Sequence, residues 1–155
     1  MDLPEGSQFD QVDARILTVL AQHGRITVTD LSEKVGLSKT PCLVRMRRME
    51  EQGLIRGYRA VLDMEMLERA HIAFVQVTLS DSTTHALDRF NAAVRKVAEI
   101  ERCHMIASSF DYLLKVRTRD IAEYRRLLGE TIAALPHVIQ TSTFVAMETV
   151  KDDPI

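Results

Sequence analysis

Apolar positions recur at helical spacing three times in the first fifty residues. Val12, Ile16, Val19 and Leu20 form one stripe, which predicts a helix over about 11–22. Asp10 stands at its N-cap, Asp13 in its first turn, and Gly24 at its end. Thr27 with Asp30 opens a second, shorter helix whose inner stripe is Leu31 and Val35 and which stops at Gly36. After the Gly36-Leu37 turn, Ser38 is a strong N-cap, and Pro41 is tolerated because first-turn amides have no intrahelical partner to lose. The third helix is therefore predicted over about 39–51, ending before Gly53. On it, Cys42, Met46 and Met49 repeat at core spacing, while Val44 and Arg48 lie opposite and Arg45 and Arg47 flank that side. This arrangement predicts an arginine-bearing face turned outward. The next stretch, Leu54 to Leu62, mixes β-formers with a central Gly57 and predicts a small hairpin, or wing. Two short helices joined by a glycine turn, the second opening with Ser and carrying bases, have the layout of a helix-turn-helix.

From residue 71 the pattern changes. His71–Ser80 alternates as a strand does, and Thr84–Val97 places Leu87, Phe90, Val94 and Val97 on one helical face. Strands follow over 100–107 and 112–118, joined by the tight Ser108-Ser109-Phe110-Asp111, which suggests a hairpin. A helix over 120–135 ends at Pro136, and a last strand-like run spans 138–150. The order β-α-β-β-α-β is that of a ferredoxin-like split βαβ unit, a four-stranded antiparallel sheet with two helices on one face. The predicted class is therefore α+β: a winged helix-turn-helix domain over 1–62, a short linker over 63–70, and a ferredoxin-like sandwich over 71–155. The sheet's uncovered face and edges predict homodimerisation through this second domain.

Composition narrows the classes without adding detail. With 155 residues, 46% hydrophobic and 27% charged, the chain has the average balance of a globular protein, which disfavours wholesale disorder and low-complexity folds. Cys42 and Cys103 are far apart in sequence, with neither a CxxC nor a histidine cluster beside them, so a disulfide framework and a metal site are both disfavoured; Cys42 reads as core filler. No cofactor is implied. The first ten residues carry three acids and no base, and apolar runs such as Ile72–Val75 reach only four residues, so neither a signal peptide nor a membrane span is expected and the reading is cytoplasmic. The net charge of −2 conceals a local bias. Between Lys34 and Arg59 seven bases stand against two acids, the footprint of a nucleic-acid binder. Scattered histidines and the absence of GxSxG, HExxH or P-loop motifs argue against an enzyme.

Taken together, the stretch from Leu37 to Ile55 (LSKTPCLVRMRRMEEQGLI) and the stretch from Ser109 to Val116 (SFDYLLKV) resemble the leucine-responsive regulator and AsnC (Lrp/AsnC) family of transcription factors, and the resemblance spans nearly the whole chain. It implies a regulator that binds specific double-stranded DNA sequences near amino-acid metabolism genes. Dimers would assemble into octamers or similar rings, with a small amino-acid effector bound between dimers. The stretch around Cys103–Tyr112 is similar to regulators of amino-acid catabolism such as proline or branched-chain use. By the same resemblance Ser38, Lys39, Thr40, Arg45, Arg47 and Arg48 would be the DNA contacts, Arg being suited to grip guanine or to neutralise phosphate. Ser108, Ser109, Phe110, Asp111 and Tyr112 would form the effector loop, with Thr141 and Thr143 supplying hydroxyls. Asp111 has two readings, a partner for an effector ammonium or a cap for its own loop. The chain departs from the family at Ser108 and His137, usually glycine, and at Lys39, often proline. A positive φ at Ser108 would cost about 1 kcal/mol. The rival reading is a sensing or assembly module whose helix-turn-helix docks protein rather than DNA.

Overall fold

The computed structural model describes residues 6–152, and the chain divides into two compact units, one ending at Leu62 and one spanning Asp63–Lys151. The acids expected within residues 1–5, and the last three positions of the second predicted domain, lie outside the described residues.

The first unit holds three helices, α1 (Gln11–Gln22), α2 (Val28–Val35) and α3 (Lys39–Glu51). The side chains predicted at the N-caps of α1 and α2 satisfy free first-turn amides. Asp10 accepts from the amides of Val12 and Asp13 while the Asp13 carboxylate accepts from the Asp10 amide, a reciprocal capping box. Thr27 accepts from the amide of Asp30. Gly36 ends α2 with φ +71°, a left-handed conformation that suits a residue without Cβ. Ser38 is the N-cap of α3 by backbone geometry, but its hydroxyl makes no cap bond. Ile16, Leu31, Val35, Cys42 and Met49 are buried together, with Met46 packed against them, so the inner face expected for α3 is found.

The expected hairpin over 54–62 is not. Among the described residues, none from Leu54 to Leu62 joins a β-ladder. Tyr58 and Leu62 are exposed and Val61 is 86% exposed, so no buried face holds two strands together, and an isolated two-stranded ribbon is marginal in water.

The second unit runs β1 (His71–Leu79), α4 (Thr84–Val94), β2 (Ile100–Met105), β3 (Tyr112–Thr118), α5 (Ile121–Leu127) and β4 (Val138–Val145). All strand pairs are antiparallel and the sheet order is β2-β3-β1-β4, the ferredoxin-like arrangement. Alternation along the strands decides the two faces. Ala73, Val75, Val77 and Leu79 of β1 and Tyr112, Leu114 and Val116 of β3 meet Phe90, Val94, Tyr124 and Ile132 beneath the helices. Phe74 pairs with Phe144 on the opposite face, where both rings are exposed. That face also carries Glu101, ion-paired with Lys115 and with the buried Arg117.

Several boundaries are shorter than expected, β2 among them, which stops at Met105 rather than 107. α4 stops at Val94 rather than Val97, and β4 stops at Val145. The helix expected to run to 135 is α-helical only to Leu127 and then widens into a π-turn over Leu128–Ile132 containing Gly129, a residue with poor helix propensity. The expected linker is folded: Asp63 accepts from the amides of Glu65 and Met66, and Arg117 donates to the carbonyl of Arg69.

Candidate functional site

On α3 the residues expected to contact DNA fall into two groups. Ser38, Lys39, Thr40 and Arg47 are exposed, as is Val44 one turn below Thr40. Lys39 and Arg47 make no ion pair among the described residues. Arg45 and Arg48, expected to point outward, instead turn back onto α1. Arg45 Nη1 lies 2.8 Å from Asp10 Oδ2 and 2.9 Å from Asp13 Oδ1, and Arg48 Nη2 lies 2.5 Å from Asp13 Oδ2. The Arg48 guanidinium also sits over the Phe9 ring, 5.5 Å from its centroid, within cation–π range.

The physical reason for this turn is Asp13, whose side chain is wholly buried. A carboxylate withdrawn from water needs compensating charge, and removing one partner of such a buried pair costs roughly 3–5 kcal/mol. Asp13 takes three donors: the Asp10 amide and one guanidinium nitrogen from each arginine. Asp10 is held below its ordinary carboxyl range, chiefly by the amide of Asp13 and then by Arg45, whose own value is raised in turn. The sequence carries a signal for the buried acid, though not for its partners. Asp13 stands three residues before Ile16 and four before Leu17, so it continues the inner stripe of α1. Further along, Tyr58 donates to Glu50 at 2.9 Å, and burial, with that carboxylate, pushes its phenol up to about 12.

The loop expected to hold an effector lies at the β1 carboxyl end. Its main chain is tied by Asp111, whose amide donates to the Val77 carbonyl and whose carbonyl accepts from Ile106. The Asp111 carboxylate accepts from the Leu79 amide at 2.7 Å, so it caps the neighbouring strand rather than its own loop. Ser108 and Ser109 are exposed and Phe110 is half-buried. Tyr112 is buried instead, its ring 4.4 Å from that of Phe90, and burial raises its phenol.

Register places Tyr112, Val77 and Thr141 in one row across the sheet, on the helix-covered face. Thr143 lies in the next row, opposite Val75, where its hydroxyl is hydrogen-bonded to that of Tyr124. The structure thus gathers Ser108–Asp111 at one sheet end, aligns Thr141 with it across β1, and ties the exposed Thr143 to Tyr124.

Among the described non-glycine residues, positive φ occurs only at Glu68 and His137, so Ser108 carries no such strain. The strain lies at His137, with φ +65°, whose carbonyl accepts from the Ser80 amide at 2.7 Å. His137 and Asp111 therefore grip adjacent peptide groups at the end of β1. Two cavities lie away from this loop. One of about 290 Å³ is lined by Asn91, Arg95 and Cys103 among others, and one of about 690 Å³ by Ile26, Lys34 and Val61 among others. No helix among the described residues is long and apolar enough to cross a membrane.

Comparison with known proteins agrees with this geometry over both units. Residues 9–56 match a winged helix-turn-helix DNA-binding family and residues 72–155 the Lrp/AsnC ligand binding domain. The chain is 56% identical over 147 residues to a proline dehydrogenase transcriptional activator of Rhizobium radiobacter, covering 95% of this chain and 94% of that one. It is 48% identical over 146 residues to a leucine-responsive regulatory protein of Salmonella typhimurium, covering 94% and 89%. Among solved structures, a transcriptional regulator from Neisseria meningitidis in complex with L-Met superposes with a TM-score of 0.89 at 31% identity, covering 94% of each chain. These relatives are regulators of transcription, not enzymes. With a helix-turn-helix unit followed by a matching ligand-binding unit along almost its whole length, the chain belongs to the Lrp/AsnC family of transcriptional regulators.

Proposed function

We propose that the chain is a cytoplasmic, sequence-specific regulator of amino-acid metabolism genes, with proline catabolism the first target to examine, and that a small amino acid modulates it. The observation that carries this reading is the exposed side of α3, where Ser38, Lys39, Thr40 and Arg47 stand together without ion-pair partners among the described residues. The hydroxyls and amides at the start of that helix suit phosphate, and Arg47 suits a guanine edge. The relatives named for activating proline dehydrogenase supply the choice of target.

The effector site is the sheet end held by Ser108, Ser109, Phe110 and Asp111, with Thr141 aligned across β1. Backbone amides of the loop receive the effector's carboxylate, and the free edge of the Asp111 carboxylate faces its ammonium. The L-Met complex of the structural relative supports an amino acid as the ligand class. Phe74 and Phe144 on the open sheet face supply the apolar contact for a homodimer, and dimers assemble into octamers or similar rings with the effector between them.

Two measurements test this. Fluorescence anisotropy on duplexes from upstream of its own gene and of a proline dehydrogenase gene is expected to give operator binding that weakens steeply with salt. Failure to bind any such duplex at low ionic strength overturns the reading. A screen of the twenty amino acids is expected to raise the melting temperature with one or a few of them, and no shift with any rejects the effector assignment.

A further inference from the structure

Helix α3 carries four cations, Lys39, Arg45, Arg47 and Arg48, and the structure commits two of them to α1. Both oxygens of the buried Asp13 carboxylate are in use, one on each arginine, and Asp10 takes a second contact from Arg45. The side chains of Arg45 and Arg48 remain 28% and 40% exposed, so they reach the surface with their charge already answered. Each guanidinium keeps N–H groups that make none of these contacts, but two arginines seated on two aspartates bring a phosphate no net charge, and turning either guanidinium outward takes from Asp13 a partner that water inside the unit cannot replace. An exposed ion pair with phosphate returns less than that loss.

We infer that Asp10 and Asp13 hold Arg45 and Arg48 out of phosphate contact, so that the recognition helix meets duplex DNA with two cations rather than four. Asp13 is then a positioning residue that suppresses sequence-independent binding and leaves discrimination to the Ser38, Thr40, Val44 and Arg47 side of the helix. Sequence-independent affinity comes almost entirely from neutralised phosphates, each adding about 0.9 to the slope of log K against log salt. A helix with two of its cations neutralised has a shallow slope and releases arbitrary DNA readily. The inference rests on the DNA-binding reading, and its test separates the two.

The experiment titrates the full-length protein against a labelled duplex of arbitrary sequence between about 50 and 200 mM salt, the range over which phosphate contacts are resolved. Asp13→Asn and Asp10→Asn each leave this cluster one positive charge in excess and are expected to bind this duplex more tightly than the parent at the lowest salt, with a slope steeper by up to about 0.9 on each helix. Arg45→Gln and Arg48→Gln are expected to leave the parent slope unchanged. A slope shallower by about 0.9 in either arginine variant overturns the inference, because that arginine was then on a phosphate. So does a parent-like affinity and slope in the Asp variants. Asp10 is exposed and each arginine variant leaves Asp13 its other arginine, so these variants decide the matter even where Asp13→Asn fails to fold. Absence of binding by the parent to any duplex overturns the DNA-binding reading itself, and this inference with it.

Discussion

At the level of single residues, the amino-terminal unit depends on where charge is buried. The Asp10 carboxyl is held below its usual 3.8, first by the Asp13 amide and next by Arg45. The charged form is therefore the one the fold favours. Its contribution is complete above 3.8 and disappears as pH falls through the lower folded value. Melting curves of the parent and of Asp10→Asn should accordingly differ at neutral pH and converge in acid below 3.8; a gap that persists there contradicts the assignment. Cys42 and Cys103 are both pushed up by burial, Cys42 being fully buried and Cys103 partly so. Thiolate is the reactive species, so alkylation followed by mass spectrometry at neutral pH should modify Cys103 slowly and Cys42 only once denaturant is added. Rapid double labelling of the folded protein would refute this.

At the level of elements, local chemistry explains what was legible in the sequence. Caps act within three residues, so Asp10 and Thr27 mark helix starts that the structure keeps. Strand alternation from His71 likewise states which face is buried. Gly36 belongs to this legible class. Nothing lies within 4 Å of a Cβ built there, so Gly36→Ala meets no clash and pays only for the left-handed φ, about 1 kcal/mol by urea denaturation. A neutral or stabilising result would show that the backbone had re-formed differently.

What escaped the sequence depends on partners distant along the chain. Arg45 and Arg48 find Asp13 more than thirty residues away, and helical periodicity states only that they leave the core stripe. The β-formers of 54–62 suggested a hairpin, but propensity forms no ladder without a face to bury. Local spacing suggests that Asp111 caps its own loop, whereas the amide its carboxylate binds is that of Leu79, 32 residues earlier.

At the level of the whole molecule, Phe74 and Phe144 form an exposed apolar pair on the open sheet face. Covering a phenylalanine is worth about 1.5–3 kcal/mol, and a two-fold contact counts each ring twice. Phe144→Asp should then raise the dissociation constant of the proposed homodimer by two orders of magnitude or more, since about 1.4 kcal/mol is tenfold. Light scattering should report smaller particles while circular dichroism stays unchanged; an assembly of unchanged mass would place the contact elsewhere. The same sheet offers an internal reporter. The Leu79 amide proton is shielded only so long as the Asp111 carboxylate stays with it. Deuterium uptake at that one site thus monitors the loop's occupancy: an effector whose ammonium draws Asp111 away quickens exchange there, and one that leaves Asp111 in place slows it.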